Sequence, residues 1–338
     1  MSEQLERSAE ITKLARLLDV PTDELAYLAE IPSSALARFR EQVADRLFGG
    51  DAERLKRVAA ASKLLPLPLA VKLAQLAFGP LLCAATAGLL EPARAAKLSA
   101  KMPVPFLADV ATMMDPRRAA AVIAAVPTPV VVAVGRELID RGEYVTMGRF
   151  VGLLSQSTLR AAVPAIESDE ALLHTAFVLE DKDRLDDLLA VARDRVDGLI
   201  RTAHEHDMWA EALDLISHLD LANRAELGDL AAAQDDELLD SLIRTVHELG
   251  NWDDMLPVLM AMSPQSLSRI AELPVVVEST PQSVWDALVE RRHDMPEPVR
   301  ELIRDRALHL GRADVAAAMG GAAAPSRPRP RPGPGRSG

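Results

Sequence analysis

The sequence predicts an all-α protein built as a solenoid of short stacked helices. Three observations carry that expectation. The 338 residues are 49% apolar but only 3% aromatic, so the core must be made of Leu, Ala, Val and Ile. Ala and Leu are strong helix formers, and small residues let helices approach closely. The alternating Val/Thr/Tyr pattern of strands is missing apart from PVVVAV at Pro129 to Val134, which runs on into a helical pattern at Gly135. Third, the chain repeats itself. Glu91 to Leu107 and Asp115 to Val131 align at an offset of 24 residues, with 7 of 17 positions identical. A fixed period marks supersecondary units that bury their apolar faces by stacking.

In chain order, residues 1–64 read as an N-terminal helical unit with helices over about 8–19, 22–30, 33–48 and 51–64. Pro21 and Thr22 open the second helix, where Asp23 and Glu24 favour the positive end of the helix dipole. Pro32 separates it from the third, and Gly49-Gly50-Asp51 is a stop followed by a new N-cap. Leu25 to Arg38, LAYLAEIPSSALAR, has the spacing of a DNA-binding helix-turn-helix, a possible motif over 25–42. Its second helix would offer Ser33, Ser34, Ala37, Arg38 and Arg40 to a groove. Glu30 stands where the turn usually needs a glycine, and a net charge of −12 opposes phosphate binding. A plain packing unit is therefore the leading reading of this segment, and a DNA-binding regulator the alternative.

Residues 65–134 hold the 24-residue repeats, with a degenerate first copy starting at Leu67-Pro68. Each unit should contain two short helices. The first begins with a proline preceded by Asp or Glu, and the second follows a Pro-x-Pro element. Leu65 to Leu90 is apolar enough to raise the question of a membrane span. Lys72, Gln75 and the Gly79-Pro80 break argue instead for two short helices buried in the array. Cys83, the one cysteine, reads as a small core residue.

The Pro-x-Arg-Ala-Ala unit from Leu90 to Pro103 recurs from Met114 to Pro127. It resembles the intracellular N-terminal domain of MgtE-type magnesium transporters, and more distantly the middle region of a flagellar motor switch protein. The resemblance covers about 70 residues, roughly a fifth of the chain. It implies a right-handed superhelix of short helices and a scaffold or sensor-like role. In that family the domain precedes nucleotide-binding CBS domains and a membrane channel, which have no counterpart here. No metal ligand is carried over, and magnesium sensing stands as a third functional alternative.

Residues 135–319 change period. Asp197 to Leu219 and Asp240 to Met262 align at an offset of 43, sharing Leu199/Leu242, Ile200/Ile243, Arg201/Arg244, Thr202/Thr245, His204/His247 and Trp209/Trp252 among others. That length suits HEAT-like units. Closing helices are expected between 281 and 319, and residues 320–338 read as a disordered Pro/Arg/Gly tail. Charge is segregated. Glu167 to Asp254 contains 24 acids against 7 bases, so the rest of the chain carries a small positive excess.

The expected function is a non-enzymatic scaffold or regulatory adaptor. The acidic faces of the 197–255 repeats would bind a protein partner with a basic segment, with Asp207, Glu211, Asp253 and Asp254 at the contact. No cofactor or catalytic residue is assigned. Neither a nucleophile elbow nor a phosphate loop is present. The repetition of His204 as His247 argues for packing rather than metal binding. The polar N-terminus MSEQLERSAE points to a cytoplasmic protein without membrane insertion.

Overall fold

The computed structural model describes residues 2–18, 20–49, 52–250 and 252–320, and every regular element among them is helical. The chain divides into two compact units, one ending at Ala231 and the other beginning at Ala232. PVVVAV lies inside a helix, as its downstream pattern implies. Residues 321–338, with the tail arginines, and Gly50-Asp51 lie outside the described residues.

The first unit opens with α1 (Ser2–Leu18), a tight 3-10 turn at Thr22–Leu28, α2 (Ser33–Gly49) and α3 (Ala52–Leu64). The expected second helix is reduced to that 3-10 turn. Pro21 and Pro32 bound this segment, and within it Ala29 and Ile31 donate to carbonyls only three residues back. Ile11, Leu14, Ala15, Leu25 and Leu36 form the core of this segment.

Next come α4 (Leu67–Leu73), which runs through a π-turn at Ala74–Phe78, then α5 (Gly79–Ala87), α6 (Pro92–Ser99), α7 (Val104–Met113), α8 (Pro116–Ala125) and α9 (Thr128–Asp140). Their start signals are repeated. Glu91 and Asp115 are N-caps followed by Pro92 and Pro116 at the first helical position. Pro103 and Pro127 are N-caps whose partners Pro105 and Pro129 sit one residue inside the helix. A proline in the first turn loses no hydrogen bond, since that N–H has no intrahelical partner. The unit continues with α10 (Tyr144–Val151), α11 (Gln156–Ala162), α12 (Asp169–Phe177), α13 (Leu185–Ala192), α14 (Val196–Glu205), α15 (Trp209–Ser217) and α16 (Leu221–Ala232).

Alternate helices pack on one another through this unit. The even series runs α4 on α6, α6 on α8, α8 on α10, α10 on α12 and α12 on α14. The odd series runs α3 on α5, α5 on α7, α7 on α9, α9 on α11 and α11 on α13. Small residues permit the approach: a Cβ on Gly88 would lie 2.3 Å from the Arg118 carbonyl oxygen. Arginines then tie successive pairs together by donating to carbonyls of an earlier turn. Arg94 reaches Leu65 O at 2.7 Å, Arg184 reaches Gly152 O at 3.2 Å and Arg195 reaches Glu167 O at 2.9 Å. Each such charged bond gives a partner to a carbonyl in a segment between helices.

The second unit contains α17 (Asp236–Leu249), α18 (Trp252–Ala261), α19 (Pro264–Glu272), α20 (Pro274–Ser279), α21 (Gln282–Glu290), α22 (Glu297–His309) and α23 (Ala313–Met319). One core cluster joins Leu239, Ile243, Leu273 and Val275, and another joins Trp285, Met295, Ala307 and Val315. Arg269 repeats the arginine device, reaching Ala232 O at 2.6 Å.

The 43-residue repeat is visible in backbone geometry. α14–α15 and α17–α18 are both helical hairpins whose second helix starts at the shared tryptophan. The rings of His204 and Trp209 lie 6.3 Å apart, and those of His247 and Trp252 lie 5.2 Å apart, tilted by 40° and 44°. Leu213 and Leu256, also 43 apart, are 4% and 0% exposed. Both hairpins turn through one residue with positive φ: Asp207 at 55° and Gly250 at 66°. A Cβ at position 250 would meet nothing within 4 Å, so only the backbone conformation constrains that site. Gly250→Val is therefore expected to destabilise the second unit by about 1–2 kcal/mol, the left-handed penalty for an ordinary L-residue. Gly250→Asp should stay within about 0.5 kcal/mol, because Asp tolerates this conformation. Urea unfolding of the two variants checks the difference, and equal losses would refute the equivalence of the two turns.

Candidate interaction surface

The acidic residues singled out above occupy two hairpins, one in each unit. In the first unit Asp207 forms the α14–α15 turn and is exposed. Met208 N donates to Ala203 O at 2.8 Å across that turn, the bond that closes a helix through a left-handed residue. Glu211 is the third residue of α15 and half-buried. A carboxylate in a first turn interacts favourably with the helix dipole, which accounts locally for an acid at this position. Nearby on α12, Glu170 lies 3.7 Å from His174 Nε2 and 3.5 Å from His206 Nδ1. Tyr144 stacks on His174 at 5.1 Å. Other acids of this region face inward. Asp169 pairs with Arg195 at 2.5 Å, and Asp214, only 4% exposed, lies 3.8 Å from Lys182. Burial depresses the Lys182 pKa, with Asp214 acting against it.

In the second unit Asp253 and Asp254 are the second and third residues of α18, so Asp254 repeats the position of Glu211. Both are exposed, and Asp253 lies 3.8 Å from Arg291 of α21. Asp235 caps α17 by accepting from Leu238 N at 2.9 Å, and Asp236 pairs with Arg269 at 3.0 Å. Each unit thus presents its own acidic hairpin end. Burial and the neighbouring Arg244 hold His247 below the ordinary histidine pKa, so the imidazole facing Trp252 is held neutral more strongly than a free one.

Four of the candidate duplex-contacting residues separate into two pairs. Ser34 and Arg38 are exposed on α2. Ser33 and Arg40 are 7% and 8% exposed and face the protein, not a groove. Glu3 accepts from Ser33 N at 2.6 Å and from its hydroxyl at 2.8 Å, so a carboxylate sits at the α2 N-terminus where a phosphate would bind. The Ser33 backbone bond holds the Glu3 carboxyl below its usual pKa, with the hydroxyl bond and Arg7 acting the same way against desolvation. Arg40 donates to Glu10 at 3.0 Å and Glu180 at 2.9 Å. The sequence pattern could not reveal this, because Glu180 lies 140 residues away.

No protein-family model matches this chain, and no curated protein or solved structure matches it significantly.

Cys83 is no nucleophile candidate: burial pushes its thiol pKa up to about 11, and its Sγ lies 3.8 Å from Ala74 O. Sequence reasoning also missed a row of exposed leucines. Leu65 to Leu90 was expected to be buried in the array. Instead Leu69, Leu76 and Leu81 are 45%, 85% and 64% exposed, and Leu64 just before the stretch is 87% exposed. Only the opposite side of these helices, with Ala70, Val71, Ala74 and Ala84, packs inward. Hydropathy counts apolar residues but does not reveal which face finds a neighbour, and α4 has one at α6 on its inner side.

Proposed function

We propose that this chain is a non-enzymatic helical-repeat scaffold, an α-solenoid whose acidic hairpin ends bind a basic segment of a partner protein. The stacking of alternate helices from α3 to α14 is the observation that carries this reading. Each added pair extends a surface made of helix ends and turns, which is how repeat arrays bind extended partners. The paired short helices with proline starts support the kinship with the MgtE-type intracellular domain, and with it a right-handed superhelix. A cytoplasmic setting belongs to the same proposal. The excess of 24 acids over 7 bases between Glu167 and Asp254 gives the partner its sign.

The test is a cross-linked affinity capture from the native cell using the intact chain and a charge-altered one, Asp207→Asn, which keeps a residue tolerant of positive φ, with Glu211→Lys, Asp253→Lys and Asp254→Lys. The captured partner should be recovered about tenfold less with the altered chain, and binding to the intact chain should weaken with salt. Equal recovery would sink the reading. The DNA-binding alternative retains Ser34 and Arg38 as exposed candidates, but Glu3 on the α2 N-terminus works against it.

A further inference from the structure

The exposed leucines and their charged surroundings assign a second surface, independent of the acidic ends. We propose that the face built by α3, α4 and α5 docks on an anionic lipid surface, lying on it without crossing.

Geometry and charge point the same way. Within α4 and its π-turn, Leu69, Lys72 and Leu76 follow one another at i, i+3 and i+7, and all are exposed. That spacing lines one side of a helix. Leu64 precedes them on α3 and Leu81 follows on α5. α4 runs through the π-turn directly into α5, and α3 packs on α5, which brings the three helices together. Lys56 and Arg57 on α3, Lys97 on α6 and Lys101 just beyond its end are exposed as well. Between Ala52 and Val104 the sequence has eight Lys/Arg against two acids, in a chain whose net charge is −12. A cationic, leucine-rich face on an otherwise acidic protein selects an anionic apolar partner. A bilayer of anionic lipid supplies both properties at once.

Crossing the bilayer is a poorer fit. By composition and length Leu67–Ala87 qualifies, with a mean hydropathy of 1.6, and only 22% of its most apolar window is buried. Yet Gly79 adopts φ 69° and ψ 176°, which interrupts the helix after twelve residues. Twelve residues rise only about 18 Å, short of the roughly 30 Å hydrocarbon core. Lys72 also sits in the middle of that run, where a charge is costly in hydrocarbon but well placed at a headgroup.

The experiment is sedimentation of the full chain with vesicles of phosphatidylglycerol or of phosphatidylcholine at low salt. Binding should be strong to the first and at least about tenfold weaker to the second. The variant Leu69→Asp/Leu76→Asp should lose about tenfold or more in binding, because both side chains are exposed and their apolar contribution is removed. Its circular-dichroism melt should match that of the parent chain, and Lys72→Glu/Lys97→Glu should weaken binding in the same direction. Failure of the parent chain to sediment with anionic vesicles would overturn the proposal. So would undiminished binding by the leucine variant, which would assign the attraction to the arginines of residues 321–338. Vesicle-independent dimerisation abolished by Leu76→Asp would instead make a second copy the occupant, and would also overturn it.

Discussion

Arg40→Ala is expected to lower the stability of the first unit by about 3–5 kcal/mol, the usual loss when one partner of a buried ion pair is deleted. Arg40 is 8% exposed and bridges α2 to two carboxylates, Glu10 on α1 and Glu180 beyond α12. Its removal leaves neither acid wholly uncompensated. Glu10 keeps Lys13 at 2.8 Å, and Glu180 keeps Arg149 at 3.6 Å. The effect therefore belongs at the lower end of that range. Arg38→Ala, an exposed change two residues away, should stay within about 0.5 kcal/mol. Urea unfolding of both variants makes the comparison, and a silent Arg40→Ala would mean that the bridge is not formed in solution.

The same bridge has a pH signature with a definite sign. Burial raises the Glu10 pKa, but Lys13 and Arg40 outweigh it, and the carboxyl ends below its ordinary value of 4.5. As pH falls through 4.5 the unfolded chain takes up a proton before the folded one does, which favours unfolding. This stabilisation is present above that pH and is lost progressively below it. With Arg40 gone, the burial effect is opposed by Lys13 alone, so the acid limb of the stability profile should flatten. A profile of unchanged slope in Arg40→Ala would place the acid sensitivity elsewhere.

Helix content and start signals were legible in the sequence because they are local. Pro92, Pro116 and the Pro-x-Pro pairs act within one turn, and the helices begin at them. What was illegible depends on partners far along the chain. Arg40 resembles a groove-facing residue until Glu180 is placed beside it. Leu76 resembles a core residue until its neighbours prove to lie only on the opposite side of the helix. Asp207 is a different case. Its charge makes it a candidate partner contact, and it also shares with Gly250 a turn of positive φ, where the alignment of the two copies pairs Asp with Gly. That pairing was a usable signal, since Asp and Gly have in common a tolerance of left-handed backbone.

Trp209→Ala is the second large effect, about 3–5 kcal/mol for an aromatic removed from a core. Trp209 is 5% exposed at the start of α15, against His204. Trp252 holds the equivalent position in the second unit, yet the same substitution should cost less there. It is only half-buried, and its indole N–H is shielded from solvent without a hydrogen-bond partner. Truncation of Trp252 forfeits less apolar burial and also removes a donor whose desolvation is uncompensated, a penalty of about 1–3 kcal/mol. The two changes act on different compact units, so they should move different parts of the unfolding curve. The chain offers a direct reporter, since its three tryptophans divide as Trp209 in the first unit and Trp252 and Trp285 in the second. In the Trp209→Ala chain all remaining tryptophan fluorescence reports the second unit, while circular dichroism reports both. A circular-dichroism transition shifted to lower urea, with the fluorescence transition left in place, is the expected outcome. Coincident shifts of both signals would mean that the two units unfold in one cooperative step. A loss at Trp252 equal to that at Trp209 would mean that repeat position, rather than burial, sets the energy of the shared tryptophan.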